Sequence, residues 1–445
     1  MADSSLKQTP LHSWIAHQIG SSLDTFTNEA IIAYQLSKIR ETLNLVRKKS
    51  LFYRSRLSTF PTDIGSLDEF KYYPFTTAED IGREPLQFLC VSQNEIQRVV
   101  TLGTSGTTGQ PKRVFFTRGD QELTLDFFRV GMSTFTAPGD RVLILLPVER
   151  PGSVGDLLAI AMERMGAIGI RHGMVRDVGH TLAVMANEGV NCVVGVPTQV
   201  LALVRKAGVE KSGRLRLKSA LLTMDHVPQA VVRAVEASWD CAVYNHYGLT
   251  EMGLGGGVEC QARRGYHLRE ADLYLEIIDP MNGRTLPEGE YGEVVFTTLT
   301  RRGMPLVRYR TGDISRFIPG DCPCGTVLRT LEKVRSRISN RVDLNNGYYL
   351  TMADLDEALF SIDGVWNFTA SLRSEDKRDC LQMEVWGTGE TKVPAVQQVV
   401  EAIPAVRAAR QSGRLEVVSV MQKEGPFGFS GQSKRMLVDR RLPSD

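Results

Sequence analysis

Five short apolar runs, at 141–147, 167–170, 192–196, 220–223 and 241–244, alternate with four stretches of helical periodicity, at 155–165, 178–188, 199–207 and 229–238. Runs this short and this uniformly apolar suit strands buried on both faces, and the helical stretches between them supply the crossovers. The pattern predicts an α/β chain with a parallel sheet covered by helices. Ligands of such sheets bind at the carboxyl ends of the strands, and the polar segment after Tyr244 is one of those ends.

The flanks read differently. Residues 26–53 keep Ile31, Ile39, Leu43 and Val46 at three-and-four spacing, as on an amphipathic surface helix. A further helix is expected at 121–134. From Leu273 onward two alternating runs, 273–278 and 292–297, joined by a Pro/Gly-rich turn at 280–289, predict an antiparallel subdomain. After residue 336 come a helix at 353–360, alternating runs at 366–372 and 381–386, a helix at 394–403 and a strand at 414–420. The 445 residues are therefore expected to form a large N-terminal domain, 1–335, and a small mobile C-terminal α/β domain, 336–445.

A net charge of +2 argues against a dedicated nucleic-acid or membrane-surface partner. No apolar run reaches the roughly 18 residues of a membrane span, and the first ten residues carry no apolar signal core, so a cytoplasmic location is expected. The seven cysteines are mostly scattered, which suits reduced thiols.

Three polar stretches have a composition that can carry chemistry. The first is Thr104, Ser105, Gly106, Thr107, Thr108, Gly109, Gln110, Pro111 and Lys112, set between two alternating apolar runs. Glycines let backbone N–H groups turn toward an anion, hydroxyls add donors, and Lys112 adds charge. Lys112 does not directly follow Gly109 and a strand follows it, so this is not the P-loop of nucleotide hydrolases. The second stretch, 244–251, contains Tyr247, Gly248, Thr250 and Glu251. An aromatic there can stack on a purine, and Glu251 beside Thr250 can hold a hard cation such as Mg²⁺. The third, 305–313, ends in Asp313, whose carboxylate can accept from both hydroxyls of a ribose. Taken singly, each has a plain alternative: a hairpin loop, an acid at a helix N-terminus, an Asx turn.

In this order the three stretches resemble the adenylate-forming superfamily, and most closely the phenylacetate–CoA ligase family. Segments 52–54, 73–77, 258–260, 265–268, 276–280 and 289–297 extend the likeness over roughly residues 50–440. The resemblance implies activation of a carboxylic acid, aryl or otherwise bulky, by ATP to an acyl-adenylate, then transfer to CoA. It also implies that Thr104 to Gly109 and Lys112 hold the β- and γ-phosphates, and that Tyr247 and Gly248 flank adenine. Thr250 and Glu251 would meet phosphate and Mg²⁺, Asp313 ribose, and Arg337 the nucleotide near a hinge. A homodimer is expected on the same ground. Two alternatives stay open: transfer to a carrier-protein thiol or an amine, and a non-catalytic nucleotide-binding relative.

Two departures bear on that choice. At the hinge Ser336 stands where the family has Gly, and Ser339 and Asn340 stand at its acidic positions. Aligned on Gly431 and Arg435, the expected catalytic lysine position is Gln432. Lys434, two residues on, faces the same side of an extended segment. It reaches the expected place if the loop shifts by about 7 Å, at roughly 3.3 Å per residue, and otherwise is a solvated lysine. Finally, Cys260, His267, Cys322 and Cys324 form a candidate Cys₃His set for structural Zn²⁺, although their spacing is not the usual knuckle. The run of glycines at 253–257 leaves room for a flat aromatic acid.

Overall fold

The computed structural model describes residues 6–103, 111–210, 215–334, 336–344, 347–375, 378–387, 393–422 and 435–441. The chain is α/β, with helix-covered sheets, an antiparallel subdomain and a C-terminal α/β region. Contacts gather it into two units of three segments each: 1–138, 149–167 and 244–334 in the first, and 139–148, 168–243 and 335–445 in the second.

In the first unit the helix Asn28–Lys49 opens where the Thr27 hydroxyl accepts from the Ala30 amide, and it ends on Arg47, Lys48 and Lys49, which suit the negative end of its dipole. It buries Ile31, Ile39, Leu43 and Val46 as the spacing predicts. Two polar groups join that stripe, because Gln35 donates to the Glu270 carbonyl at 2.9 Å and Thr42 to that of Thr298 at 3.3 Å. Ser50 then caps a separate helix, Leu51–Arg56, so the long expected helix is two. Strands Ile96–Leu102 and Lys112–Thr117 pair antiparallel with Leu102 opposite Lys112, which joins the two ends of the glycine loop. The loop itself, 104–110, lies outside the described residues. Thr117 and Asp120 close a capping box that starts the helix Arg118–Met132 three residues earlier than periodicity indicates.

Strands Leu273–Ile278 and Gly292–Thr298 pair as predicted, and Tyr309–Ser315 adds a third. Asp313 thus lies in a strand rather than an Asx turn. The register slips between Glu293 and Val295, opposite Gly312, whose φ of +74° allows the bulge. A second antiparallel ladder runs through Ala242–Tyr247, Gly257–Glu259, Tyr266–Leu268 and Thr330–Leu331. Tyr247 and Tyr309 share one apolar core with Ile39, Phe70, Phe116, Leu275 and Phe296, so both rings are rooted in the packing.

In the second unit the strands Ile168–Arg171, Arg141–Leu145, Cys192–Gly195 and Ser219–Leu222 lie side by side in that order, all parallel. The helices Val178–Asn187, Pro197–Glu210 and Gln229–Trp239 belong to the same unit. A four-stranded sheet is built from Leu415–Gln422, Arg378–Gly387, Val365–Glu375 and Val438–Asp439, the middle pair antiparallel and the outer pairs parallel. Pro404 opens a helix, Pro404–Gln411, that the sequence reading passed over; proline at the first helical position breaks the preceding helix and starts the next. Two side chains tie the early and late segments of this unit together at helix ends. Arg205 donates to the Phe360 and Ile362 carbonyls at 2.9 and 3.1 Å, after the helix Met352–Leu359. Glu357 accepts from the Gln229 amide at 2.9 Å, at the start of the helix Gln229–Trp239. Each charge has the sign its helix end attracts. Among the described residues no helix is long and apolar enough to cross a membrane.

Candidate functional site

The site is assembled in the first unit by two turns and a strand. Tyr247 ends the strand Ala242–Tyr247, and the chain then coils tightly: Met252 N donates to the Leu249 carbonyl, Gly253 N to that of Thr250, and Gly256 N to that of Tyr247. Gly248 is required, since a Cβ there would lie 2.3 Å from the Leu254 carbonyl oxygen. This coil turns Glu251 inward, where its side chain is 5% exposed.

Glu251 meets Lys112. The Lys112 Nζ lies 2.5 Å from Glu251 Oε1, and the Tyr309 hydroxyl donates to the same oxygen at 3.0 Å. Burial pushes the Glu251 carboxyl up, but Lys112 and the Tyr309 hydroxyl outweigh it and hold the group below the usual range, so it is a carboxylate at neutral pH. Four residues along the same strand, Asp313 is 2% exposed; its Oδ2 accepts from the Tyr247 hydroxyl at 2.9 Å and its amide donates to Thr311 Oγ1 at 3.0 Å. The Tyr247 ring stacks on Tyr266 with centroids 5.7 Å apart and planes 26° apart. A lysine, two carboxylates and two phenols therefore converge from residues as distant as 112, 247 and 313.

Of the residues named from sequence, Lys112, Tyr247, Gly248, Thr250, Glu251 and Asp313 come together here. Thr250 is half-buried within the coil. Arg337 is half-buried in the second unit, in the short strand Ser336–Arg337. Thr104, Ser105, Gly106, Thr107, Thr108, Gly109, Gln432 and Lys434 lie outside the described residues. Tyr309 was missed, although it falls within the third stretch; its signal was an aromatic at an even spacing from Asp313 on a strand.

The glycines at 253–257 do not leave room for an aromatic acid. A Cβ on Gly255 would lie 2.4 Å from the Phe127 ring, one on Gly256 2.8 Å from the Met252 sulfur and one on Gly257 2.9 Å from Leu268. The protein's own side chains fill that space, and glycine there serves close packing.

A second cluster, also in the first unit, gathers Cys260, His267, Cys322 and Cys324, all buried and with ligand atoms within 4.8 Å of one another. The Cys260 and Cys322 sulfurs are 3.6 Å apart and are not bonded; Cys324 Sγ lies 3.5 Å from His267 Nε2. A tetrahedral site with bonds of about 2.3 Å to sulfur and about 2.0 Å to nitrogen has edges of roughly 3.5–3.8 Å, which the Cys260–Cys322 and Cys324–His267 separations match. The N-terminal segment covers the cluster: Gln8 donates to the Gly325 carbonyl at 2.7 Å, and His12 Nδ1 lies 3.0 Å from Thr326 Oγ1.

Residues 90–299, which contain Lys112, Tyr247 and Glu251, match the AMP-binding enzyme family. The chain is 30% identical to a phenylacetate-coenzyme A ligase of Thermus thermophilus over 315 residues, 68% of this chain and 69% of that one. It is 27% identical to the phenylacetate-coenzyme A ligase of Escherichia coli over 346 residues, 72% and 73% of the two chains. Among solved structures, a 2-hydroxyisobutyryl-CoA ligase in complex with 2-HIB-AMP has a TM-score of 0.76 at 20% identity, covering 94% of this chain and 89% of that one.

Proposed function

The chain belongs to the phenylacetate–coenzyme A ligase family, and from that premise we propose how its own residues serve an ATP-dependent, AMP-forming acid–thiol ligase. A carboxylate oxygen attacks the α-phosphorus of ATP, and the bond to pyrophosphate breaks. The CoA thiol then attacks the acyl carbon of the adenylate, and AMP leaves. Neither half bonds covalently to the protein, so the protein contributes positioning and charge.

The observation that carries the residue assignments is the convergence of Lys112, Glu251 and Tyr309 beside the Tyr247–Asp313 hydrogen bond. The ion pair gives each charge a partner to exchange: Lys112 passes to phosphate, and Glu251 to a divalent cation. The buried Glu251 carboxylate is a hard-oxygen donor that fits Mg²⁺, with Thr250 as its neighbour in the chain, and the ion would neutralise phosphate charge when bound. Asp313 takes the ribose hydroxyls and Tyr247 flanks the base. The loop 104–109, Arg337 and Lys434 are assigned to phosphate, nucleotide and the reacting carboxylate by their correspondence to the family's motifs. The acid is an aryl or bulky carboxylate, supported by the names of the relatives. Residues 336–445, in the last segment of the second unit, are assigned the part of the family's small C-terminal domain, and the enzyme is assigned as a cytoplasmic homodimer.

The assay is acid-dependent exchange of pyrophosphate into ATP across a panel of carboxylic acids, followed by AMP release with and without CoA. Exchange with an aryl acid and CoA-dependent AMP release are expected. ATP binding with no exchange for any acid would leave a nucleotide-binding relative instead. Release driven by a carrier protein and not by CoA would move the acceptor.

Zn²⁺ fits the second cluster by donor type and by distance. Elemental analysis is expected to find one zinc per chain, and Cys322→Ser/Cys324→Ser to lose it together with thermal stability. Unchanged metal content in that variant would refute the site.

A further inference from the structure

One buried cation near the site has no place in the chemistry just described. Arg301 lies on the turn after strand Gly292–Thr298, is 6% exposed, and donates to backbone carbonyls of the coil that carries Glu251 and of the strand that carries Lys112. One guanidinium nitrogen donates to the Glu251 carbonyl at 2.7 Å and the other to the Phe115 carbonyl at 3.0 Å, while the plane lies over the Phe116 ring at 4.4 Å. Phe115 is three residues beyond Lys112 on the same strand.

We propose that Arg301 is a positioning residue that sets the separation of Lys112 and Glu251, and through it the affinity of the site for magnesium-bound ATP. The proposal rests on the reading of Lys112 and Glu251 given above. One rigid fork bridges the strand that carries the cation and the coil that carries the carboxylate, elements 139 residues apart in the chain. The turn holding the fork is itself fixed to the same strand. The Asp120 carboxylate accepts from the Arg302 amide at 2.9 Å, from Gly303 at 3.1 Å and from Thr117, the last residue of that strand, at 2.9 Å. Lysine cannot serve here, because a single ammonium does not present two coplanar donors to two carbonyls. Burial lowers Arg301 to about 10, with Asp120 opposing, so the group stays cationic at neutral pH and its hydrogen bonds are charge-assisted.

The test measures magnesium–ATP binding by calorimetry, without acid or CoA, for the full chain and for Arg301→Met and Arg301→Lys. Thermal melts are recorded alongside. Arg301→Met is expected to weaken binding by about tenfold or more, to raise the Mg²⁺ concentration for half-saturation, and to raise KM for ATP more than it lowers kcat in pyrophosphate exchange. Arg301→Lys falls between, keeping one of the two hydrogen bonds. Arg205→Ala, at a half-buried arginine of the second unit, controls for lost stability and is expected to melt earlier with unchanged affinity. If the unmodified chain fails to bind magnesium–ATP, the functional reading falls. If it binds, and a folded Arg301→Met or Arg301→Lys binds equally well with the same Mg²⁺ requirement, the positioning role falls. An equal loss of affinity in Arg205→Ala also overturns it, since the effect would then be general. Should Arg301→Met not fold, Arg301→Lys decides alone.

Discussion

Glu251→Gln is expected to lower acid-dependent pyrophosphate exchange by roughly 10²–10³-fold, the usual loss when one preorganised charge is removed from a reacting centre. The substitution keeps the size of the side chain and its acceptance from the Tyr309 hydroxyl, so the effect isolates charge. It strips Lys112 of its 2.5 Å partner and removes the oxygen pair proposed for Mg²⁺. Lys112→Met should act differently, raising KM for ATP while leaving the Mg²⁺ requirement nearer that of the parent. The double variant should lose less than the product of the two, because the residues face one another. Exchange by Glu251→Gln within threefold of the parent would sink the assignment. The linkage with pH has a definite sign. The Glu251 carboxyl is held below its ordinary 4.5, so the pair with Lys112 contributes stability at every pH above that value. The contribution is lost only as the pH falls through the lowered one.

Arg308→Met is expected to destabilise the first unit by about 3–5 kcal/mol, the cost of leaving one charge of a buried pair alone. Arg308 and Glu276 are each 1% exposed and meet through two parallel hydrogen bonds of 3.0 Å. The guanidinium also donates to the Lys71 and Tyr73 carbonyls at 2.6 Å and lies over Phe75 at 4.2 Å. Burial pushes the Glu276 carboxyl up, and Arg308 opposes that shift, so removing the arginine leaves a carboxyl driven toward neutrality. Glu276→Leu should cost a similar amount, and the double variant should recover at least about 2 kcal/mol relative to the sum of the singles. Guanidinium chloride unfolding of the four proteins reads this directly. Single losses below about 1 kcal/mol would show the pair to be dispensable.

How much of this was legible in the sequence depends on the range of the contact. The parallel sheet was, because apolar runs between amphipathic stretches describe burial on both faces without reference to any partner. Glu251 and Asp313 were legible by type, each with the chemistry its carboxylate allows. What joins them was not: Arg301 reaches Phe115 across 186 positions and Arg302 reaches Asp120 across 182, and no local pattern encodes such a pairing. The glycines at 253–257 misled for the same reason. Missing side chains suggest empty space until the Phe127 ring, brought in from the helix Arg118–Met132, is seen to occupy it. Cys260, His267, Cys322 and Cys324 lie near one another despite their irregular spacing, since ladder pairing sets His267 opposite Thr330 and brings the cysteine loop alongside.

The three-segment build of each unit governs how the chain can be synthesised. By residue 334 the first unit has all its parts, but the second has only 139–148 and 168–243. Among the described residues one apolar cluster of this unit runs from Leu143 through Trp239 to Leu355, Phe360 and Leu437, so it stays unfinished until the last segment, 335–445, emerges. At about 5–20 residues per second that delay is on the order of ten seconds. For that interval a nascent chain carries a finished first unit and a second unit whose apolar cluster still lacks Leu355, Phe360 and Leu437, which is the form most in need of a chaperone.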